Sequence, residues 1–205
     1  MMQIQRIDHP GKHRHVVYFT LNGEELTMPL YGGELHRYHI KEDAELSDEV
    51  YCEIRDQILK KRALTRSEYL LGKKNYTARE LSQKLEEGYY PEEVVSHVLR
   101  LLTDYGFIND LHYAQRYVEL QGTRKSSRQM RLELTRKGID AGVLEQVFIE
   151  AGDTETAALQ KLVEKRCKNA DLTDPKEWNK QLRYLLGKGF AYEQVKEILG
   201  AFRKP

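Results

Sequence analysis

The sequence predicts a mainly α-helical protein: three tandem three-helix repeats in an elongated array, preceded by a small strand-containing segment. Three observations predict it. A glycine-punctuated helix pair recurs three times, helix start signals follow one another from Ser47 onward, and strand-forming residues are confined to the first 40 positions.

The strands come first. Val16-Val17-Tyr18-Phe19-Thr20-Leu21 is β-branched and aromatic, Asn22-Gly23 supplies the left-handed turn of a tight hairpin, and Glu24 to Leu30 returns with alternating character. Ile4 to Asp8 predicts a third strand, closed off by His9-Pro10-Gly11, while Leu35 to Ile40 reads equally as short helix or strand. So few short strands cannot build a core alone and must lean on the helices.

The helices follow. Ser47-Asp48-Glu49 opens a segment whose Val50, Ile54, Ile58 and Lys61 share one face. Thr65-x-x-Glu68 and Thr77-x-x-Glu80 both have the form of a capping box, which predicts a helix start at each. Tyr90-Pro91-Glu92-Glu93 starts another, with proline at the first helical position and acids in the first turn. Asn109-Asp110, Ser126-Ser127, Asp140, Asp153 and Asp174-Pro175 are further starts, and Gly106, Gly122, Gly138, Gly152, Gly187 and Gly189 are stops or interruptions. About nine helices are expected after the one at Ser47.

Self-similarity organises them. LEEGYYPEEVVSHVL from Leu85, LTRKGIDAGVLEQVF from Leu134 and LLGKGFAYEQVKEIL from Leu185 align without a gap. Leu85, Leu134 and Leu185 are equivalent, as are Tyr90, Ile139 and Phe190, and Val95, Leu144 and Val195. Val98, Val147 and Ile198, then Leu99, Phe148 and Leu199, complete the set. Each copy reads as a helix ending in a glycine turn, one large residue in that turn, and a second helix with apolar positions at i, i+3 and i+4. In the first copy Tyr89 stands where the others have Gly138 and Gly189, so that turn is expected to differ. With one more helix upstream of each pair, the expected organisation is a strand-containing extension over 1–46, a leading helix over 47–61, and repeats over 62–108, 109–152 and 153–205.

Composition narrows the function. Lys and Arg number 33 against 32 Asp and Glu, so any attraction to nucleic acid must come from local clusters. Charge is indeed segregated. Residues 42–56 hold seven acids against one base, residues 58–79 seven bases against one acid, and residues 115–137 seven bases against two acids. Cys52 and Cys167 stand far apart with no C-x-x-C spacing, which points away from a disulfide framework and toward a reducing compartment. No apolar run is long enough to span a bilayer and the first residues lack the apolar stretch of a signal peptide, so a soluble cytoplasmic protein is expected. His36-x-x-His39 offers two metal ligands on one helical face, but zinc needs three or four. No phosphate-binding G-x-x-x-x-G-K-[ST] loop occurs, and no pair of acids is marked out by spacing, so neither a cofactor nor a catalytic centre is expected.

Two basic strips remain as candidate binding surfaces. Lys60, Lys61, Arg62 and Arg66, with Lys73 and Lys74, form the first; the competing reading is that they answer the acids of 42–56 within the molecule. Arg116, Arg124, Lys125, Arg128, Arg131, Arg136 and Lys137 form the second, with Arg128 and Arg131 on one face and Met130 and Leu134 on the inward one; the competing reading is a solvated helix surface. Tyr113 and Tyr117, four apart, are expected in packing rather than base stacking, and Trp178 likewise.

At this point the residues resemble the RecX family of bacterial RecA regulators. The matching text is Glu80-Leu81-x-x-Lys84-Leu85 leading into Gly88-Tyr89-Tyr90, Val94-Val95-x-x-Val98-Leu99, Tyr105-Gly106-Phe107-Ile108-Asn109-Asp110 with Tyr113-Ala114, and Glu133-Leu134-x-x-Lys137-Gly138-Ile139. The likeness is strong over about 60–150 and weaker to 202. Gln121 and Tyr76 stand where the family usually carries arginine. The resemblance implies tandem three-helix modules and a non-enzymatic modulator of homologous recombination and the SOS response. Such a protein binds the RecA filament on DNA and lowers its ATPase and strand-exchange activity, as a monomer and without cofactor or membrane. Direct DNA contact by the two basic strips is the alternative function.

Overall fold

The computed structural model describes residues 2–152 and 155–203. The helix start assigned to Asp153 lies outside them. By Cα packing the chain forms two compact units, one ending at Asn109 and the other beginning at Asp110.

In the first unit the Asn22-Gly23 turn behaves as its chemistry requires. Both residues take positive φ, 53° and 87°, the geometry whose twist matches that of the flanking strands. It joins β2 (Arg14–Leu21) to β3 (Glu24–Tyr31), paired antiparallel from Arg14↔Tyr31 to Leu21↔Glu24. β1 (Met2–Asp8) pairs with the other edge of β2 and carries a bulge between Ile4 and Arg6. A two-residue β4 (Glu45–Leu46), too short to show alternation in sequence, adds to β1 and gives the order β3-β2-β1-β4.

The ambiguous stretch resolves into a short helix, α1 (Gly32–Arg37). His39 lies beyond its end with φ 54°, so His36 and His39 do not share a helical face.

The Ser47 hydroxyl caps α2 (Asp48–Glu53) by accepting from the Val50 amide at 3.3 Å. From there the helix does not stop. It passes through a π-helical stretch (Ile54–Leu59) directly into α3 (Lys60–Leu71). Two expectations are corrected here. The leading helix does not end at 61, and Thr65 is an exposed residue in mid-helix rather than a cap. A capping threonine needs an extended backbone, and no glycine or proline between positions 48 and 71 offers the chain a way out of the helix. The π-helical stretch also explains why Lys61 leaves the buried face. The stripe steps five residues from Ile54 to Leu59, then four to Ala63 and four to Ser67, all buried.

The second capping box is real. In α4 (Ala78–Glu86) Thr77 Oγ1 accepts from the Glu80 amide at 3.1 Å and Glu80 reaches back to the Thr77 amide at 3.3 Å. α5 (Glu92–Asp104) starts one residue later than expected, with Pro91 as its N-cap.

The second and third modules repeat this plan. α6 (Asp110–Gln121), α7 (Ser127–Arg136) and α8 (Ala141–Ala151) form one; α9 (Glu155–Cys167), α10 (Pro175–Gly187) and α11 (Tyr192–Ala201) form the other. Ser126, Asp140 and Asp174 cap their helices through side-chain oxygens as the sequence predicts.

The three helix-pair turns share one conformation. Tyr89, Gly138 and Gly189 have φ 64°, 87° and 89°, and each amide donates to the carbonyl three residues back. The expected difference at Tyr89 is therefore absent: tyrosine accepts the left-handed backbone that glycine supplies in the other copies. Gly88 is needed for a different reason, since a Cβ there would lie 2.8 Å from the Leu85 carbonyl and 2.9 Å from the Tyr90 ring. Fourteen of the fifteen equivalent apolar residues are buried, and Leu99 is half-buried.

In the first unit the sheet and the first module share one core. Met2, Ile4, Val17, Phe19, Met28 and Leu30 from the strands join Tyr51, Ile54, Leu59, Leu81, Leu85 and Val98 from the helices, and the Phe19 and Tyr51 rings lie 5.2 Å apart. The second unit has two clusters, one around Met130, Leu134 and Val147 and one around Leu159, Leu185 and Val195. Tyr113, Tyr117 and Trp178 pack against these clusters as expected.

Candidate interaction surface

The first basic strip is largely occupied by its own protein. Lys60 pairs with Asp56 at 2.7 Å, which the reading of internal neutralisation anticipates. Lys61 donates to Gln57 at 3.1 Å. Arg62 donates to the Pro29 carbonyl at 2.9 Å, pairs with Glu34 and stacks on the Tyr31 ring. Asp56, held between Arg55 and Lys60, has its carboxyl well below the usual range because both cations hydrogen-bond its charged form. Lys73 and Lys74 lie over the rings of Tyr69 and Tyr76. Arg66 has no acid or hydrogen-bond partner among the described residues, and its Nε is buried without one.

The second strip divides. Lys125 is drawn inward, donating to Glu133 at 2.6 Å and to the Tyr117 hydroxyl at 3.1 Å. Desolvation by itself would raise the Glu133 pKa, but hydrogen bonds from Lys125, Tyr117 and Gln129 outweigh it and hold the carboxyl at about 2. Arg131 lies over the Phe148 ring at 4.2 Å and Lys137 over Tyr113 at 5.5 Å. Met130 and Leu134 point inward, fully buried. That leaves Arg116, Arg124, Arg128 and Arg136 exposed, with no ion pair recorded among the described residues.

Arg124 is brought to cations that sequence reasoning did not single out. A cleft of about 700 Å³ within the second unit is lined by Arg124, Lys161, Lys165, Arg166, Lys188 and Tyr184. Arg166 stacks 3.5 Å from the Tyr184 centroid and donates to Gln181 at 2.6 Å, which fixes its fork, while Lys188 lies 5.3 Å over the same ring. Several positive charges around an open cleft can neutralise phosphates or carboxylates. The sequence does carry a signal, since Lys161 and Lys165 are four apart on α9, but Arg124 and Lys188 join them only through the fold.

Among the described residues no group of three or more His, Cys, Asp or Glu is placed to hold a metal ion. No helix among them is long and apolar enough to cross a membrane.

Comparison with known proteins agrees with this architecture. Residues 153–199 match the family "RecX, third three-helix domain". A "Regulatory protein RecX" of Clostridium tetani is 31% identical over 127 residues, 60% of this chain and 59% of the relative. One from Caldanaerobacter subterraneus subsp. tengcongensis is 28% identical over 163 residues, 78% of this chain and 80% of the relative. A solved structure, "Crystal structure of regulatory protein RecX", has the same fold, with a TM-score of 0.60 at 23% identity, covering 98% of this chain and all of the other. The chain thus spans about three-fifths of the Clostridium relative's length and more of the other two.

Proposed function

We propose, on the premise that the chain belongs to the RecX family, that it is a non-enzymatic regulator that binds the RecA filament on DNA. It lowers the filament's ATPase and strand-exchange activity, acting as a cytoplasmic monomer without cofactor. The observation that supports this most is the cationic cleft of Arg124, Lys161, Lys165, Arg166 and Lys188; the same unit exposes Arg116, Arg128 and Arg136, which have no ion pair among the described residues. Such a surface suits an acidic partner, and a nucleoprotein filament offers both carboxylates and phosphates.

Adding the purified protein to RecA on single-stranded DNA and following ATP hydrolysis tests the reading. Slower hydrolysis at protein levels comparable to the recombinase is the expected result, and an unchanged rate would count decisively against it.

The same cleft favours one alternative, stand-alone DNA binding, because Arg and Lys beside an aromatic ring also suit single strands. Fluorescence anisotropy with labelled oligonucleotide over a salt series separates the two. Tight, steeply salt-dependent binding with no effect on RecA would favour the alternative.

A further inference from the structure

In the first unit, β2, β3, α3 and the turn before α5 line an open cavity of about 360 Å³, with Arg14, Tyr31, Arg62, Arg66, Tyr69 and Tyr90 around it. Its volume lies within the range of small-molecule sites. Its charges are not equal. Arg62 is neutralised by Glu34 and held by the Pro29 carbonyl. Arg14 spends one N–H on the Gly88 carbonyl at 2.5 Å and has no acid partner recorded among the described residues. Arg66 has none either, and its Nε is a buried donor without an acceptor, an arrangement that disfavours the fold as it stands. The three guanidiniums converge on one place. Burial raises the Tyr90 pKa, while Arg62, Arg66 and Arg14 all pull it down.

Two tyrosines at this cavity are open to solvent, Tyr31 at 46% and Tyr69 at 61%. Each ring already carries one cation, Arg62 over Tyr31 at 4.3 Å and Lys73 over Tyr69 at 4.2 Å; an acidic side chain would satisfy the arginines but add no stacking partner to either ring. A nucleotide offers both an anion for a guanidinium fork and a π-face for a tyrosine.

We propose that this cavity is a nucleotide site, in which Arg14 and Arg66 take the phosphate and Tyr31 and Tyr69 flank the base. The nucleotide is either free or one unit of a single strand. The site does not depend on the RecA reading, since it binds its ligand without a recombinase.

Calorimetry on the full chain alone tests it, using thymidine monophosphate, thymidine, inorganic phosphate, a glutamate-only peptide and a short oligothymidylate. Thymidine monophosphate should bind more tightly than thymidine or phosphate. Arg66→Gln should weaken it about tenfold or more, as expected for loss of a hydrogen bond to a charged group. Tyr69→Ala should weaken it about fivefold or more. Circular dichroism checks that each variant folds; should Arg66→Gln not fold, Arg14→Gln and exposed Tyr69→Ala carry the test. Lys196→Gln, at an exposed lysine of α11 outside both basic surfaces, should leave the monophosphate affinity unchanged. Oligothymidylate binding through Arg66 and Tyr69 more tightly than the monophosphate identifies a strand as the source, and equal affinity identifies a free nucleotide. No binding of the monophosphate, no effect of the substitutions, or equal competition by the glutamate peptide would overturn the proposal.

Discussion

The amide of Ser126 donates to the carbonyl of Lys188 at 3.0 Å, tying the cap of α7 in the second module to the turn after α10 in the third. The Ser126 hydroxyl meanwhile accepts from the Gln129 amide at 3.1 Å. One buried serine therefore serves its own helix and its neighbour's turn. Gly189 completes the contact, because a Cβ on it would stand 2.5 Å from Ser126 Oγ and 2.7 Å from Gln129 Cβ.

Gly189→Ala should therefore destabilise the second unit. The substitution forces a side chain onto φ 89°, at a cost of roughly 1–2 kcal/mol, and crowds a packed junction, at a further cost of about 1–3 kcal/mol. Urea unfolding should show a lower midpoint, and a midpoint equal to wild type would mean that the junction is not closed in solution.

Tyr89→Gly should act in the opposite direction or nearly so. It relieves a left-handed tyrosine, with a gain of up to about 1 kcal/mol, against loss of the cation–π contact in which Arg14 lies 5.8 Å from the ring. Thermal unfolding should give a melting temperature at or above wild type. A fall of several degrees would show that the ring contributes more than the backbone costs.

Leu134→Ala and Leu85→Ala remove equivalent, fully buried side chains and should each destabilise by about 2–5 kcal/mol. Hydrogen exchange should show the losses in different places, in the second unit for Leu134 and in the first for Leu85. Uniform loss along the chain from either variant would contradict separate cores.

Acid should weaken the second module through Glu133. Its carboxyl ionises at about 2 in the fold against an ordinary 4.5, so its contribution is complete above 4.5 and is lost as pH falls toward 2. Glu133→Gln should be less stable than wild type near neutrality and should lose less stability across that window. Parallel pH curves for the two proteins would refute the assignment.

Charge removal should discriminate the basic surfaces. Replacing Arg124 and Lys165 with glutamine should reduce the salt slope of single-strand binding by about 1.4, or about 0.7 per phosphate contact. Replacing Lys60 and Lys61 should change it little, because both already engage Asp56 and Gln57. A larger effect from the second pair would reverse the ranking.

What the sequence disclosed follows from how local each signal is. Asn22-Gly23 fixes a hairpin by itself, and Leu85, Leu134 and Leu185 announce a repeat because burial at equivalent positions constrains them alike. The box at Thr77 held because the chain before it is already non-helical, whereas the same pattern at Thr65 lay inside a helix running from Asp48. The two-residue β4 and the π-helical stretch leave no periodic trace. The cleft was missed because Arg124, Lys161 and Lys188 are distant in sequence, and Lys60, Arg62 and Lys125 looked available because their partners Asp56, Glu34 and Glu133 are assigned only by folding.

The uninterrupted rod from Asp48 to Leu71 also bears on where this chain can be cut. Its early turns bring Tyr51 and Ile54 into one cluster with Phe19 and the other strand residues, and eight of the twenty buried residues of that interior come from the leading 46 positions. Trimming those positions to obtain a tidy helical fragment would leave a wet, greasy flank on the rod, and the shortened protein should clump rather than report on its partners.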